Sequence, residues 1–240
     1  MADYVWHLKT CELFADLSAE QIRRLEVVSR LRRFKARETV YLPTETADSV
    51  FLLVSGLVKI CHLTPDGKQS TLALVRQGEL FGELALLDAL QRDEFVEALE
   101  PSTVVMIPSD VLLDVMSQAS IVGTQITKLV GLRQRRIQRR LQHLLFLSNH
   151  DRLVHLLLDL SEQFGIVTTA GVELQVKLSH QELANLIGST RETVTIILGQ
   201  LKDEKMLEVT RRRIVLLDRE AMALSVQRLP SNINSSRGHQ

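Results

Sequence analysis

The run Ser179-His180-Gln181-Glu182-Leu183-Ala184-Asn185-Leu186-Ile187-Gly188-Ser189-Thr190-Arg191-Glu192-Thr193-Val194-Thr195-Ile196-Ile197-Leu198 decides how this chain folds. Ser179 with Glu182 three residues on is a capping box, in which each side chain takes up a backbone N–H at a helix start. The helix it opens turns Leu183, Ala184, Leu186 and Ile187 inward. Gly188-Ser189-Thr190 makes a tight turn, with glycine free to take left-handed backbone. A second helix begins at Arg191 and lines up Val194, Ile197, Leu198 and Leu201 on one face. Two short helices joined by a Gly-containing turn of three to four residues form a helix-turn-helix. The second helix of that motif enters the major groove of DNA by its N-terminal residues.

Arg191 and Glu192 stand at that N-terminus. Arginine can fork two donors to O6 and N7 of guanine, and glutamate can accept from N4 of cytosine. Two plainer readings compete. Glu192 lies three residues after Ser189 and could complete a second capping box. Arg191 could face solvent or a phosphate. Downstream, Leu207–Thr210 and Ile214–Leu217 read as a β-hairpin whose tip is Arg211-Arg212-Arg213. Such a tip is either a wing touching phosphates or a solvated turn. The candidate DNA-binding set is Ser179, His180, Ser189, Thr190, Arg191, Glu192, Thr193, Thr195, Ile196, Arg211, Arg212 and Arg213.

Working back from the motif, Val172–Leu178 reads as a short alternating strand, and Arg152–Phe164 as an amphipathic helix ended by Gly165. Asn149-His150-Asp151 reads as a hinge. From Ser109 to Asn149 the pattern is helical. Ile126, Val130, Ile137, Leu141 and Leu144 draw an apolar stripe that can pack on its own domain or on a second copy. Arg133 falls on that stripe, where a charge is costly unless paired. From Leu31 to Ile107 short strands alternate with turns. Val50–Val54 is broken by Ser55-Gly56, Leu57–Leu63 follows, Thr64-Pro65-Asp66-Gly67 turns, and Ser70–Val75 returns. Ser18-Ala19-Glu20-Gln21 caps a helix running to about Ser29. The expected architecture is α+β: a β-roll of jelly-roll type over 1–117, a long dimerisation helix over 118–148, a winged helix-turn-helix over 149–229, and a disordered tail over 230–240.

Composition fits this plan and narrows the function. The 240 residues are 45% hydrophobic and 24% charged, enough for real cores. Lys plus Arg is 29 and Asp plus Glu is 29, so any nucleic-acid contact must be a local basic face. No apolar run approaches the ~18–20 residues of a membrane span. Met1–Lys9 lacks the pattern of a secretion signal. Cys11 and Cys61 form no disulfide framework, which points to a reduced, cytoplasmic protein. Enzyme readings fail on residues. His62 is the only His between Leu31 and Ile107, too few for the metal cluster of a cupin, and no P-loop or nucleophile elbow appears.

The segment Lys177–Gln181 through Gly188–Val194, the segment Phe81-Gly82-Glu83-Leu84 with Arg92, and the order of roll, long helix and winged motif resemble the CRP/FNR transcription regulators over about Leu13–Leu217. Across Gly171–Met206 the likeness is strongest to the nitrogen-control branch, the NtcA type. The resemblance implies a homodimer that binds palindromic double-stranded DNA and acts on RNA polymerase, with Ile126, Val130, Ile137, Leu141 and Leu144 at the dimer seam. One position departs. Where the family carries a second groove-reading Arg, Ile196 stands here. It can touch a thymine methyl but cannot fork to guanine. The expected half-site is therefore related to the family's and not identical to it.

The resemblance also implies an effector site of Phe81, Gly82, Glu83, Leu84, Arg92, Arg133 and Gln138. Cyclic AMP fits it poorly. Asp93 stands where a hydroxyl should meet the phosphate, Glu94 follows, and paired carboxylates repel a phosphate. Ile137 and Gln138 replace the hydroxyl pair that holds adenine. In the nitrogen-control branch two arginines and backbone amides hold 2-oxoglutarate. Both arginines are present here, and the accompanying Glu is Gln138. Two alternatives stay open: a 2-oxoglutarate-like dicarboxylate, or no small effector, with Arg133 paired to Glu83 or another acid. Gating by a partner protein belongs with the second. An iron–sulfur sensor needs four cysteines, and a haem sensor would have to use His62, His143 or His150. The remaining rival is an adaptor that has lost DNA binding. Sequence-dependent, salt-sensitive binding to DNA would separate it from a regulator.

Overall fold

The computed structural model describes Leu8 and residues 11–67, 69–87 and 91–227. The tail reading over 230–240, and the reading of Met1–Lys9 apart from Leu8, lie outside the described residues. The chain divides into two compact units, 1–137 and 138–240.

The first unit is a two-sheet roll flanked by helices. Helix α1 (Ala19–Val28) opens on the expected capping box, with Ser18 and Gln21 exchanging both hydrogen bonds. Strands β1 (Arg30–Phe34), β2 (Thr39–Tyr41), β3 (Ser49–Ser55), β4 (Val58–Leu63), β5 (Gln69–Val75), β6 (Leu80–Phe81), β7 (Phe95–Ala98) and β8 (Ser102–Pro108) follow. They form two antiparallel sheets, β1-β8-β3-β6 and β2-β7-β4-β5. β3 explains why Val50–Val54 is apolar throughout instead of alternating. Phe51 and Leu53 enter the core of the roll, beside Phe34, Tyr41, Val58, Ile60, Val96 and Val104. Val50, Leu52 and Val54 point the other way, into a second core with Ile22, Leu25, Leu112, Val115, Val122 and Ile126. A strand covered on both faces has no polar side to show.

Helix α2 (Ser109–Gln118) and the long helix α3 (Ser120–Phe146) come next. In the first unit, α3 buries Val122, Ile126 and Arg133, and Val130 packs partly on the second core. Its last turns, in the second unit, carry exposed Leu141, Leu144, Leu145 and Phe146, the phenylalanine at 79%.

In the second unit, helix α4 (Asn149–Phe164) buries Leu153, Val154, Leu156, Leu157, Leu158 and Leu160. Ser148 caps it, accepting from the Asp151 N–H. The residues expected as a hinge, Asn149-His150-Asp151, are therefore its first helical turn, and the chain breaks at Leu147-Ser148. Gly165 ends α4 in extended backbone and begins β9 (Gly165–Thr168), a strand too short to show a pattern. β10 is Gly171–Leu174, shorter than the expected Val172–Leu178. Helices α5 (His180–Ile187) and α6 (Arg191–Asp203), strands β11 (Leu207–Thr210) and β12 (Arg213–Leu216), and helix α7 (Arg219–Ser225) complete the unit. Its sheet has the order β11-β12-β10-β9. No helix among the described residues is long and apolar enough to cross a membrane.

Candidate nucleic-acid interface and effector site

Local rules build the two-helix motif as expected. Ser179 caps α5, accepting from the Glu182 N–H, while Glu182 Oε2 accepts from the Ser179 N–H at 2.5 Å. Gly188 closes α5 in left-handed backbone (φ 64°, ψ 46°). Leu183, Ala184, Leu186 and Ile187 are buried, as are Val194, Ile197, Leu198 and Leu201 of α6.

The start of α6 settles one choice the sequence left open. Thr190, not Ser189, is the N-cap, and its Oγ1 accepts from the Thr193 N–H at 3.2 Å. Glu192 is thus released from any capping box and lies exposed beside Arg191. Neither Arg191 nor Glu192 has a side-chain hydrogen bond or ion pair with any described residue. The hydroxyls beside them are engaged. Thr190 Oγ1 and Thr193 Oγ1 lie 3.0 Å apart, Thr195 Oγ1 donates to the Arg191 carbonyl at 2.8 Å, and His180 Nδ1 lies 2.7 Å from Thr195 Oγ1. Ile196 is 61% exposed on the same helix.

The wing differs from expectation in one residue. The tip is Arg211-Arg212, with Arg211 in left-handed backbone (φ 57°). Arg213 belongs to β12, opposite Thr210, and donates to Glu173 of β10 at 2.5 Å. Glu173 holds the Arg213 guanidinium in its charged form, raising its pKa. Nothing in the sequence marked Glu173 as that partner, because the contact joins residues 40 apart through the sheet.

The first unit brings together most of the residues expected at the effector site. Gly82 follows β6 at φ 70°, and a Cβ there would lie 2.8 Å from Arg92 Nη1 and 3.2 Å from the Phe51 ring. Arg92 is 7% exposed. Its Nη2 donates to the Ser49 carbonyl at 2.7 Å, and its guanidinium lies 4.1 Å from the centre of the Tyr41 ring. Tyr41, Phe51 and Phe81 stack beneath it. Tyr41, Phe51 and Ser49 carry no motif, and only the folded roll gathers them.

Arg133, 9% exposed, donates from Nη1 to both oxygens of Glu83 at 2.8 and 2.9 Å, and from Nη2 to the Leu80 carbonyl at 2.6 Å. The charge on the apolar stripe is thereby paired. Glu94 accepts from the Tyr41 hydroxyl at 2.8 Å. Burial pushes the Glu94 carboxyl above its ordinary value. The Tyr41 hydrogen bond opposes the shift, Glu83 adds to it, and Arg133 and Arg92 oppose it. Burial also raises the Tyr41 phenol, with Glu94 adding to the effect. Leu84 is exposed, as is Asp93. Gln138, in the second unit, is exposed on α3.

Residues 31–119 match the cyclic nucleotide-binding domain family, and residues 151–224 match the Crp-like helix-turn-helix domain family. The chain is 33% identical over 199 residues to a global nitrogen regulator of Synechococcus elongatus, covering 81% of this chain and 88% of that protein. A CRP-family transcriptional regulator from Thermus thermophilus has a similar structure, with a TM-score of 0.69 at 27% identity, covering 85% of this chain and all of that one. CooA from Carboxydothermus hydrogenoformans shares the fold, with a TM-score of 0.74 at 22% identity over 88% and 91% of the two chains. With both domains matched in order and a relative a third identical over most of its length, the chain is a transcription regulator, not an enzyme, and belongs to the CRP/FNR family.

Proposed function

We propose that the protein acts in the cytoplasm as a homodimer on a palindromic promoter site and influences RNA polymerase there. The observation that carries this reading is the exposed start of α6, where Arg191 and Glu192 stand uncommitted beside a fully hydrogen-bonded cap. Arg191 forks to guanine, Glu192 accepts from cytosine, and Arg211 and Arg212 meet phosphates. Ser179, His180, Ser189, Thr190 and Thr193 position the two helices and offer further backbone contacts. The dimer forms through α3. Exposed Leu141 and Leu144 lie on the same stripe as half-buried Val130 and Ile137, and a second copy is their cover. Ile126, 5% exposed, is already covered by its own unit's core and leaves the seam. Two reading helices then sit about one DNA turn apart. A salt-sensitive shift of DNA carrying a selected palindrome, with a dimer mass in solution, is the expected result. DNA binding without sequence preference would defeat the proposal.

The Glu83–Arg133 pair favours a particular form of control. Arg133 already holds a carboxylate, that of its own chain, by both oxygens. We read Glu83 as a permanent internal carboxylate, so that DNA binding needs no small effector. The other reading is a 2-oxoglutarate-like effector at Phe81–Leu84, Arg92, Arg133 and Gln138. It draws support from the likeness to global nitrogen regulators, and it requires the ligand to displace Glu83. Calorimetry separates the two. No heat with 2-oxoglutarate in the native protein supports the first, and saturable binding abolished by Arg133→Ala supports the second.

A further inference from the structure

We propose that Ile196, together with the methyl group of Thr195, makes the centre of the reading helix an apolar strip that recognises the 5-methyl group of a thymine in each half-site. The inference rests on the DNA-reading role of α6 proposed above and assigns which base feature that helix reads.

The geometry comes first. At about 100° per residue, Arg191, Glu192, Thr195, Ile196 and Gly199 fall on the side of α6 opposite Val194, Ile197, Leu198 and Leu201. The first five are exposed and the other four buried. This outer face is the one a groove would receive.

The chemistry of that face is then a matter of which polar groups remain. Thr195 has one hydroxyl proton, and it goes to the Arg191 carbonyl at 2.8 Å. The His180 imidazole, 2.7 Å from the same oxygen, must therefore donate from Nδ1. With its hydroxyl both donating and accepting inside the protein, Thr195 presents its methyl group. Thr190 and Thr193 engage each other and the helix cap. Hydrogen bonding to bases is left to Arg191 and Glu192 in the first turn. Beyond that turn Thr195, Ile196 and Gly199 offer carbon, with the exposed Gln200 amide at the edge of the face.

Ile196 is the centre of that carbon surface. A large β-branched side chain 61% exposed in mid-helix is left mostly uncovered by its own unit. Gly199, three residues on, gives a second and independent sign. Glycine in a helix interior is destabilising relative to alanine. A Cβ at Gly199 would meet nothing within 4 Å, so packing in the chain does not require the glycine. Its absence of side chain lets another surface come close to α6 beside Ile196. In the major groove only thymine carries a methyl group at its edge, and apolar side chains recognise it.

The test uses the full-length protein. A preferred half-site is first selected from a random duplex library. Each thymine in it is then replaced by deoxyuridine, which lacks only the methyl group, and affinity is read by fluorescence anisotropy. The expected result is one thymine per half-site whose replacement weakens binding about fourfold, the effect of one buried methyl group. Replacing both symmetry-related thymines should weaken it about fifteenfold. In Ile196→Ala, which is exposed and should fold normally by circular dichroism, the penalty should disappear. Ile196→Arg should move the preference at that base pair to guanine. Specific binding with no methyl-sensitive thymine, or a penalty that persists in Ile196→Ala, would overturn the inference while leaving the DNA-reading role intact. Failure to select any sequence would overturn both.

Discussion

Glu83, at the start of the short 3-10 helix Glu83–Leu86 after β6, engages Arg133 of the long helix in a two-pronged ion pair, with both side chains nearly removed from solvent. Breaking one partner of a buried pair leaves the other charge without compensation. Arg133→Ala strands Glu83 and the Leu80 carbonyl and should cost about 3 kcal/mol or more in stability. Glu83→Gln keeps one acceptor for Arg133 and should cost less. Denaturant unfolding of both single variants and the double variant gives the coupling, expected to exceed ~1 kcal/mol. Additive losses would show that the pair contributes no mutual stabilisation.

The neighbouring carboxyl gives a pH dependence of defined sign. The Glu94 pKa is raised in the folded protein, first by burial and then by Glu83. An acid that holds its proton more tightly when folded stabilises the fold at low pH. That contribution is lost as pH rises from the ordinary value of 4.5 through the folded value. Glu94→Gln keeps an acceptor for the Tyr41 hydroxyl and carries no charge. Its melting temperature relative to the native protein should therefore climb as pH increases from about 4.5 to 8. A difference that shrinks over that range would contradict the assignment.

How much of this was legible in the sequence depends on whether a residue's neighbours are near it in the chain. The two-helix motif could be read almost to the residue, because capping, turn chemistry and periodicity are local. Ser179 with Glu182, Gly188, and the buried faces of α5 and α6 all follow from spacing under five residues. Where two local signals competed, the reading stayed open. Ser189 and Thr190 are both capable caps, and Thr190 takes the role. Three consecutive arginines give no sign of where a strand resumes, and Glu173, which fixes Arg213 in β12, lies 40 residues away. The sensor site was legible in its two arginines and its Phe81-Gly82 step. Tyr41, Phe51 and Ser49, which seat Arg92, come together only through sheet pairing.

Arg191→Ala tests the register of the reading helix. The side chain is exposed and unpaired within the described chain, so its removal should leave folding and the dimer unchanged. Affinity for the selected site should fall by about 1–3 kcal/mol per half-site contact, with discrimination relaxed at one base pair. Arg212→Ala should act differently. It should weaken binding to all sequences alike and lower the salt slope by about one. Retained preference in Arg191→Ala would assign the readout to another residue.

Gly82→Ala tests whether the loop after β6 is built around Arg92. Left-handed backbone alone would cost an alanine roughly 1–2 kcal/mol. At Gly82 the added Cβ would also lie 2.8 Å from Arg92 Nη1 and 3.2 Å from the Phe51 ring. Gly67 supplies the control, since it too has positive φ (81°) but a Cβ there meets nothing within 4 Å. Gly67→Ala should therefore report backbone strain alone, and Gly82→Ala that strain plus displacement of a buried guanidinium from Ser49 and Tyr41. The expected outcome is a loss at Gly82 larger by at least about 1 kcal/mol, in line with disturbing a charged hydrogen bond. Equal losses at the two positions would mean that Arg92 gives way freely and that the loop is not organised by it.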